Sequence, residues 1–104
     1  MRPALTPARV ASAIVEAAAA FEVPARELTG RCRLPRVAHA RQALYAALYT
    51  SCETSYPELA AALHRDHTTL IYGCKRAALL AARDHDYAAA LLRIARAAVG
   101  MQET

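Results

Sequence analysis

A chain of 104 residues has room for one hydrophobic core and excludes a large multidomain enzyme. Apolar residues make up 56% of it, but aromatics only 6%, and 27 positions are Ala; with 3 Gly and 5 Pro there is little turn material for an all-β domain, so the composition predicts a small helical core. The net charge of +4 points to an anionic partner, and it is unevenly spread. Arg2, Arg9 and Arg26 are balanced by Glu16, Glu22 and Glu27, and Arg83, Arg93 and Arg96 by Asp84, Asp86 and Glu103. The whole excess lies between residues 31 and 76, where Arg31, Arg33, Arg36, Arg41, Arg65, Lys75 and Arg76 face only Glu53, Glu58 and Asp66. The ends read as scaffold and the centre as the face for a partner.

Cys32, Cys52 and Cys74 are odd in number and far apart, which predicts free thiols in a reducing cytosol. The apolar run 17–21 is too short to cross a bilayer and is flanked by acids, so neither a signal peptide nor a membrane anchor is expected.

Thr6 before Pro7 predicts an N-cap and a first helix to about Ala20, with Val10, Ile14, Ala17, Ala18 and Phe21 on one face. Val23 to Leu28 forms a short second turn opening at Pro24, and Gly30 is expected to close it in the left-handed conformation. Residues 31–36 read as a basic loop, because Pro35 disfavours helix at Leu34. A third helix fits from about Val37 to Thr50, with Val37, Ala40, Leu44, Ala47 and Leu48 inward. Ser55-Tyr56-Pro57-Glu58 is a Ser-x-x-Glu capping box with Pro in the first turn, which starts a short helix over about Tyr56 to Leu63. Asp66 caps a longer helix through Leu70, Cys74, Ala77 and Leu80. Asp84 or Asp86 caps a last helix bearing Ala88, Leu91, Leu92, Ala95 and Val99. The predicted fold is all-α, one domain over residues 1–104, a compact bundle of five or six helices.

A short helix, a tight turn and a longer helix make a helix-turn-helix, whose second helix enters the DNA major groove N-terminus first. The residues at that end are Asp66, His67, Thr68 and Thr69. Threonine methyls pack on thymine methyls, hydroxyls and imidazole nitrogens bond bases or phosphates, and the unpaired N–H groups of a helix start attract phosphate. Arg31, Arg33, Arg36 and Arg41 have no acid among them, which favours phosphate over an ordinary solvated face. Tyr45, Tyr49, Tyr56, Tyr72 and Tyr87 read as core or rim packing.

With Ala40-Arg41-Gln42, Ser55-Tyr56-Pro57-Glu58-Leu59 and Arg65-Asp66-His67-Thr68-Thr69, the chain resembles the C-terminal DNA-binding domain of the bacterial replication initiator DnaA. Phe21, Leu28, Gly30, Arg31 and Arg33 follow the same pattern upstream, and the resemblance runs from about Val10 to Ala97. It implies that Arg33 reaches into the minor groove, that Arg41 and Gln42 bind phosphate, that Pro57, Asp66, His67 and Thr68 touch bases, and that Thr69 lies close to the backbone. Arg65, Lys75 and Arg76 join the DNA-contacting set; Tyr72 stands where the family often has a phosphate-contacting His, leaving only its hydroxyl for that contact.

The family's Phe-Gly-Gly before Arg-Asp-His is Leu63-His64 here, one residue shorter and without Gly, so the turn is expected to close differently. No Gly-x4-Gly-Lys-Ser/Thr occurs, which leaves these residues without a nucleotide-binding module. Cys52, His64, His67 and Cys74 lack the spacing of a zinc site, and no Cys–His pair has a visible orienting group, so neither metal, cofactor nor catalysis is expected. The sequence thus predicts a bacterial, cytoplasmic double-stranded DNA binder for DnaA-box-like origin sites, tied to replication initiation or its regulation. The alternatives are a small helix-turn-helix transcription regulator and a protein-interaction module with vestigial DNA contacts.

Overall fold

In the computed structural model, which describes residues 1–100, four of the six helices start where the cap chemistry places them. The Thr6 hydroxyl accepts from the Arg9 N–H at 3.2 Å and opens α1 (Pro7–Phe21). The short α2 (Ala25–Thr29) follows Pro24, and α3 spans Pro35–Ser51. The Ser55 hydroxyl oxygen accepts from the Glu58 N–H at 3.3 Å, while its O–H donates to the Glu58 carboxylate at 2.8 Å, and α4 (Tyr56–Ala62) begins there. Asp66 caps α5 (His67–Arg83), and Asp84, not Asp86, caps α6 (His85–Ala98) by accepting from the Tyr87 N–H at 3.1 Å. Among the described residues there is no strand, only an isolated bridge between Ala4 and Glu53 that pins the N-terminal segment to the α3–α4 connection.

Two local expectations need correction. The third helix starts at Pro35 rather than Val37: the first helical position needs no N–H, so Pro35 fits it, and only Leu34 before it stays extended. Gly30 is not left-handed; its φ is −93° and ψ −154°. A Cβ there would sit 3.0 Å from the Arg26 carbonyl oxygen, so Gly serves a close approach of the loop to α2 rather than an αL cap.

The central element is α3. Ala43, Leu44, Tyr45, Ala46, Ala47 and Leu48 are buried in succession, which happens only when a helix is covered on all sides. α1, α5 and α6 pack around it, and α1 also packs along α6. Small residues let these axes come close, and Leu28, Leu44, Leu48, Leu59, Leu70 and Ile94 supply the bulk, each contributing about 1.5–3 kcal/mol when fully buried. Arg93 pairs with Glu16 across the α1–α6 seam. The neutral ends of the sequence thus form the support on which the charged middle is mounted.

Candidate nucleic-acid interface

α4, the turn at residues 63–66 and α5 form the helix-turn-helix. The turn closes through two hydrogen bonds, Arg65 N–H to the Ala60 carbonyl at 2.9 Å and His64 N–H to the Ala61 carbonyl at 3.3 Å, with His64 at φ +53°. This is a Schellman closure in which His takes the left-handed position usually given to Gly. One Asp66 carboxylate oxygen then accepts from the N–H groups of Thr68 at 3.0 Å and Thr69 at 3.4 Å, fixing the first turn of α5.

α5 divides cleanly into two faces. Leu70, Gly73, Cys74 and Ala77 are buried toward the core. Thr68, Tyr72, Lys75 and Leu79, at spacings of four, three and four, form an exposed stripe one helix face wide. His67 and Thr69 are exposed beside its N-terminal end. Gly73 makes the inner face fit: a Cβ there would lie 2.7 Å from Cδ2 of Tyr45 on α3. Burial also pushes the Cys74 thiol up to about 11, which suits packing rather than nucleophilic or metal chemistry. Among the described residues no three His, Cys, Asp or Glu side chains gather as a metal site.

The start of α4 is brought to the same place by aromatic contacts. Tyr49 of α3 stacks on Tyr56 with ring centroids 4.1 Å apart and planes 3° from parallel, and Tyr56 meets the His67 ring at 6.5 Å. Pro57, next to Tyr56 in the first turn of α4, is exposed. Nothing in the residue spacing announces this stack, because the three rings come from three different elements.

The basic loop joins from the other side. Arg31 and Arg33 are exposed, as is Arg36 in the first turn of α3. Arg65, at the end of the helix-turn-helix turn, donates to the carbonyls of Leu28 at 3.0 Å and Gly30 at 2.8 Å, which ties the root of this loop to the N-terminus of α5. Arg41 lies on the same carbonyls: its Nε–H donates to Leu28 at 3.1 Å, Nη2 to Glu27 at 2.6 Å and Gly30 at 2.9 Å, and Nη1 to Cys32. Burial, and then the neighbouring Arg65, lower the Arg41 pKa from its usual value. Both guanidiniums also act on the phenol of Tyr45, whose pKa is nevertheless raised because burial outweighs them.

The remaining candidates lie at the edges. Gln42 is half-buried against Gly73, with its Cγ 3.5 Å from where a Cβ would stand, and its side-chain carbonyl oxygen is buried with no hydrogen-bond partner among the described residues. Arg76 is half-buried and acts on the Tyr87 phenol, whose O–H donates to the His39 carbonyl at 2.9 Å. Tyr72, unlike the packed Tyr45 and Tyr87, is 63% exposed on the α5 stripe. The structure therefore sets Asp66, His67, Thr68 and Thr69 at one helix end, with Tyr72 and Lys75 exposed further along α5, leaves Arg33 and Pro57 exposed on the loop and at the start of α4, and turns Arg41 and Arg65 inward onto backbone.

No curated protein matches the sequence significantly. The family model described as the bacterial DnaA protein helix-turn-helix matches residues 11–77, from α1 to Ala77 within α5, and so reaches every element that builds this face. With nearly two thirds of its length matched and the helix-turn-helix in place, the chain belongs to the bacterial DnaA helix-turn-helix family of double-stranded DNA-binding domains.

Proposed function

We propose that this domain reads DnaA-box-like sites in duplex DNA, with the N-terminus of α5 in the major groove and the Arg31–Arg33 loop in the adjacent minor groove. His67 and Thr68 read base edges, Pro57 and Asp66 flank them, and Thr69, Gln42, Tyr72, Lys75 and Arg76 meet the sugar-phosphate backbone. Occupying such boxes places the protein at the bacterial nucleoid, in replication initiation or its regulation.

The observation that carries this reading is the link from Arg65 to the Leu28 and Gly30 carbonyls, which sets an acid-free basic loop beside a capped helix start bearing exposed His and Thr side chains. Loop and helix N-terminus then address neighbouring grooves as one body. The test is the affinity of the purified protein for a DnaA-box duplex and for a scrambled duplex at the same moderate salt. The box is expected to bind on the order of 10³-fold tighter or better, and equal affinities would rule out site-specific reading.

A further inference from the structure

The cations of the central region divide into two kinds, and the division assigns Arg41 and Arg65 a role different from that of Arg33. Of the five N–H donors of the Arg41 guanidinium, one on Nε, one on Nη1 and two on Nη2 are engaged by backbone carbonyls. The Leu28 and Gly30 carbonyls each accept from both arginines, so the two lone pairs of each oxygen are occupied. Neither arginine is in an ion pair among the described residues; their charge is met by carbonyl dipoles at the C-terminal end of α2.

That end needs such partners. α2 has only five residues, too few to hold itself, and it ends in an extended Gly30 rather than a left-handed cap, which leaves its last carbonyls without local donors. The Thr29 hydroxyl reaches the Arg26 carbonyl at 3.3 Å; those of Glu27 and Leu28 are filled from α3 and from the helix-turn-helix turn. The carbonyl of Cys32, between Arg31 and Arg33, is held as well.

We propose that Arg41 and Arg65 are positioning residues: a paired guanidinium clamp that holds the basic loop in place against the N-terminus of α5, so that DNA affinity depends on them through loop order and not through phosphate contact. The proposal rests on the DNA-binding reading of this face. Charge-conserving substitution separates the two roles. An ammonium is a point charge that serves a phosphate nearly as well as a guanidinium does, but it lacks the planar fork needed to span the carbonyls of residues 27, 28, 30 and 32.

The experiment measures Arg41→Lys and Arg65→Lys against wild type in two ways: amide hydrogen exchange of the free protein and binding of a DnaA-box duplex across a salt series. Both variants are expected to keep the protection of α1, α3 and α6, to exchange the amides of residues 30–34 about tenfold faster, and to bind the duplex about tenfold more weakly with an unchanged salt slope. Wild-type exchange in the loop, or faster exchange with wild-type affinity, would overturn the proposal. If one variant loses the protection of the bundle, the other decides. Exchange is read without DNA, so it judges the clamp even if the wild-type protein bound no duplex, an outcome that would instead contradict the proposed function.

Discussion

His64 holds the turn of the helix-turn-helix in the left-handed region, where an L side chain crowds its own carbonyl at a cost of about 1–2 kcal/mol. Its side chain is exposed, so nothing in the core depends on the ring. His64→Gly is therefore expected to stabilise the protein by about 1 kcal/mol, read as a higher urea midpoint with the same slope; an unchanged or lower midpoint would contradict this account of the turn. The missing Gly at this position is legible in the sequence, but the way the turn closes is not, because a left-handed histidine has no signature in the residue name. The same limit applies to Arg41. Its place in an arginine-rich stretch suggests phosphate, whereas the direction of its guanidinium is set by carbonyls of α2 and the loop that no local pattern connects to it.

At the scale of elements, the starts of α1, α4, α5 and α6 were readable because they are chemical events: Thr6, Ser55, Asp66 and Asp84 each accept from an N–H two or three residues on, whereas α3 has no side-chain cap. The packing of one helix on another was less so. Gly73 sits inside a helix, where Ala is favoured by about 1 kcal/mol, yet the space above it is filled by the ring of Tyr45, itself 4% exposed and flanked by Arg41 and Arg65. A Cβ at 2.7 Å from that ring forces α5 away from α3 or Tyr45 from its place, an overpacking cost of about 1–3 kcal/mol that exceeds the gain in propensity. Gly73→Ala should accordingly lower stability by about 1 kcal/mol in urea unfolding, and a gain would contradict a close α3–α5 contact at this position. Since α3 carries Arg41 and α5 the exposed face that begins at His67, this contact also sets the angle between loop and helix.

Across the whole molecule, the charge excess lies in the middle of the chain, but not all of it is exposed. Of the seven cations between residues 31 and 76, Arg41 and Arg65 turn inward and Arg76 is half-buried, leaving Arg31, Arg33, Arg36 and Lys75 exposed. The Ala-rich helices α1 and α6, neutral once the Asp84 cap is counted with α6, close around α3 and support this face without adding net charge to it. On the proposed reading, DNA meets a modest electrostatic hold together with a short row of polar side chains at one helix end, and base preference in the major groove comes from that row. The most direct measurement is the difference in binding free energy between a DnaA-box duplex and a scrambled duplex, at one salt concentration, for the wild-type protein and for Thr68→Ala. The variant is expected to lose about 1–3 kcal/mol on the box and to keep its affinity for the scrambled duplex. An equal loss on both duplexes, or no loss on either, would contradict the reading of bases by the N-terminus of α5.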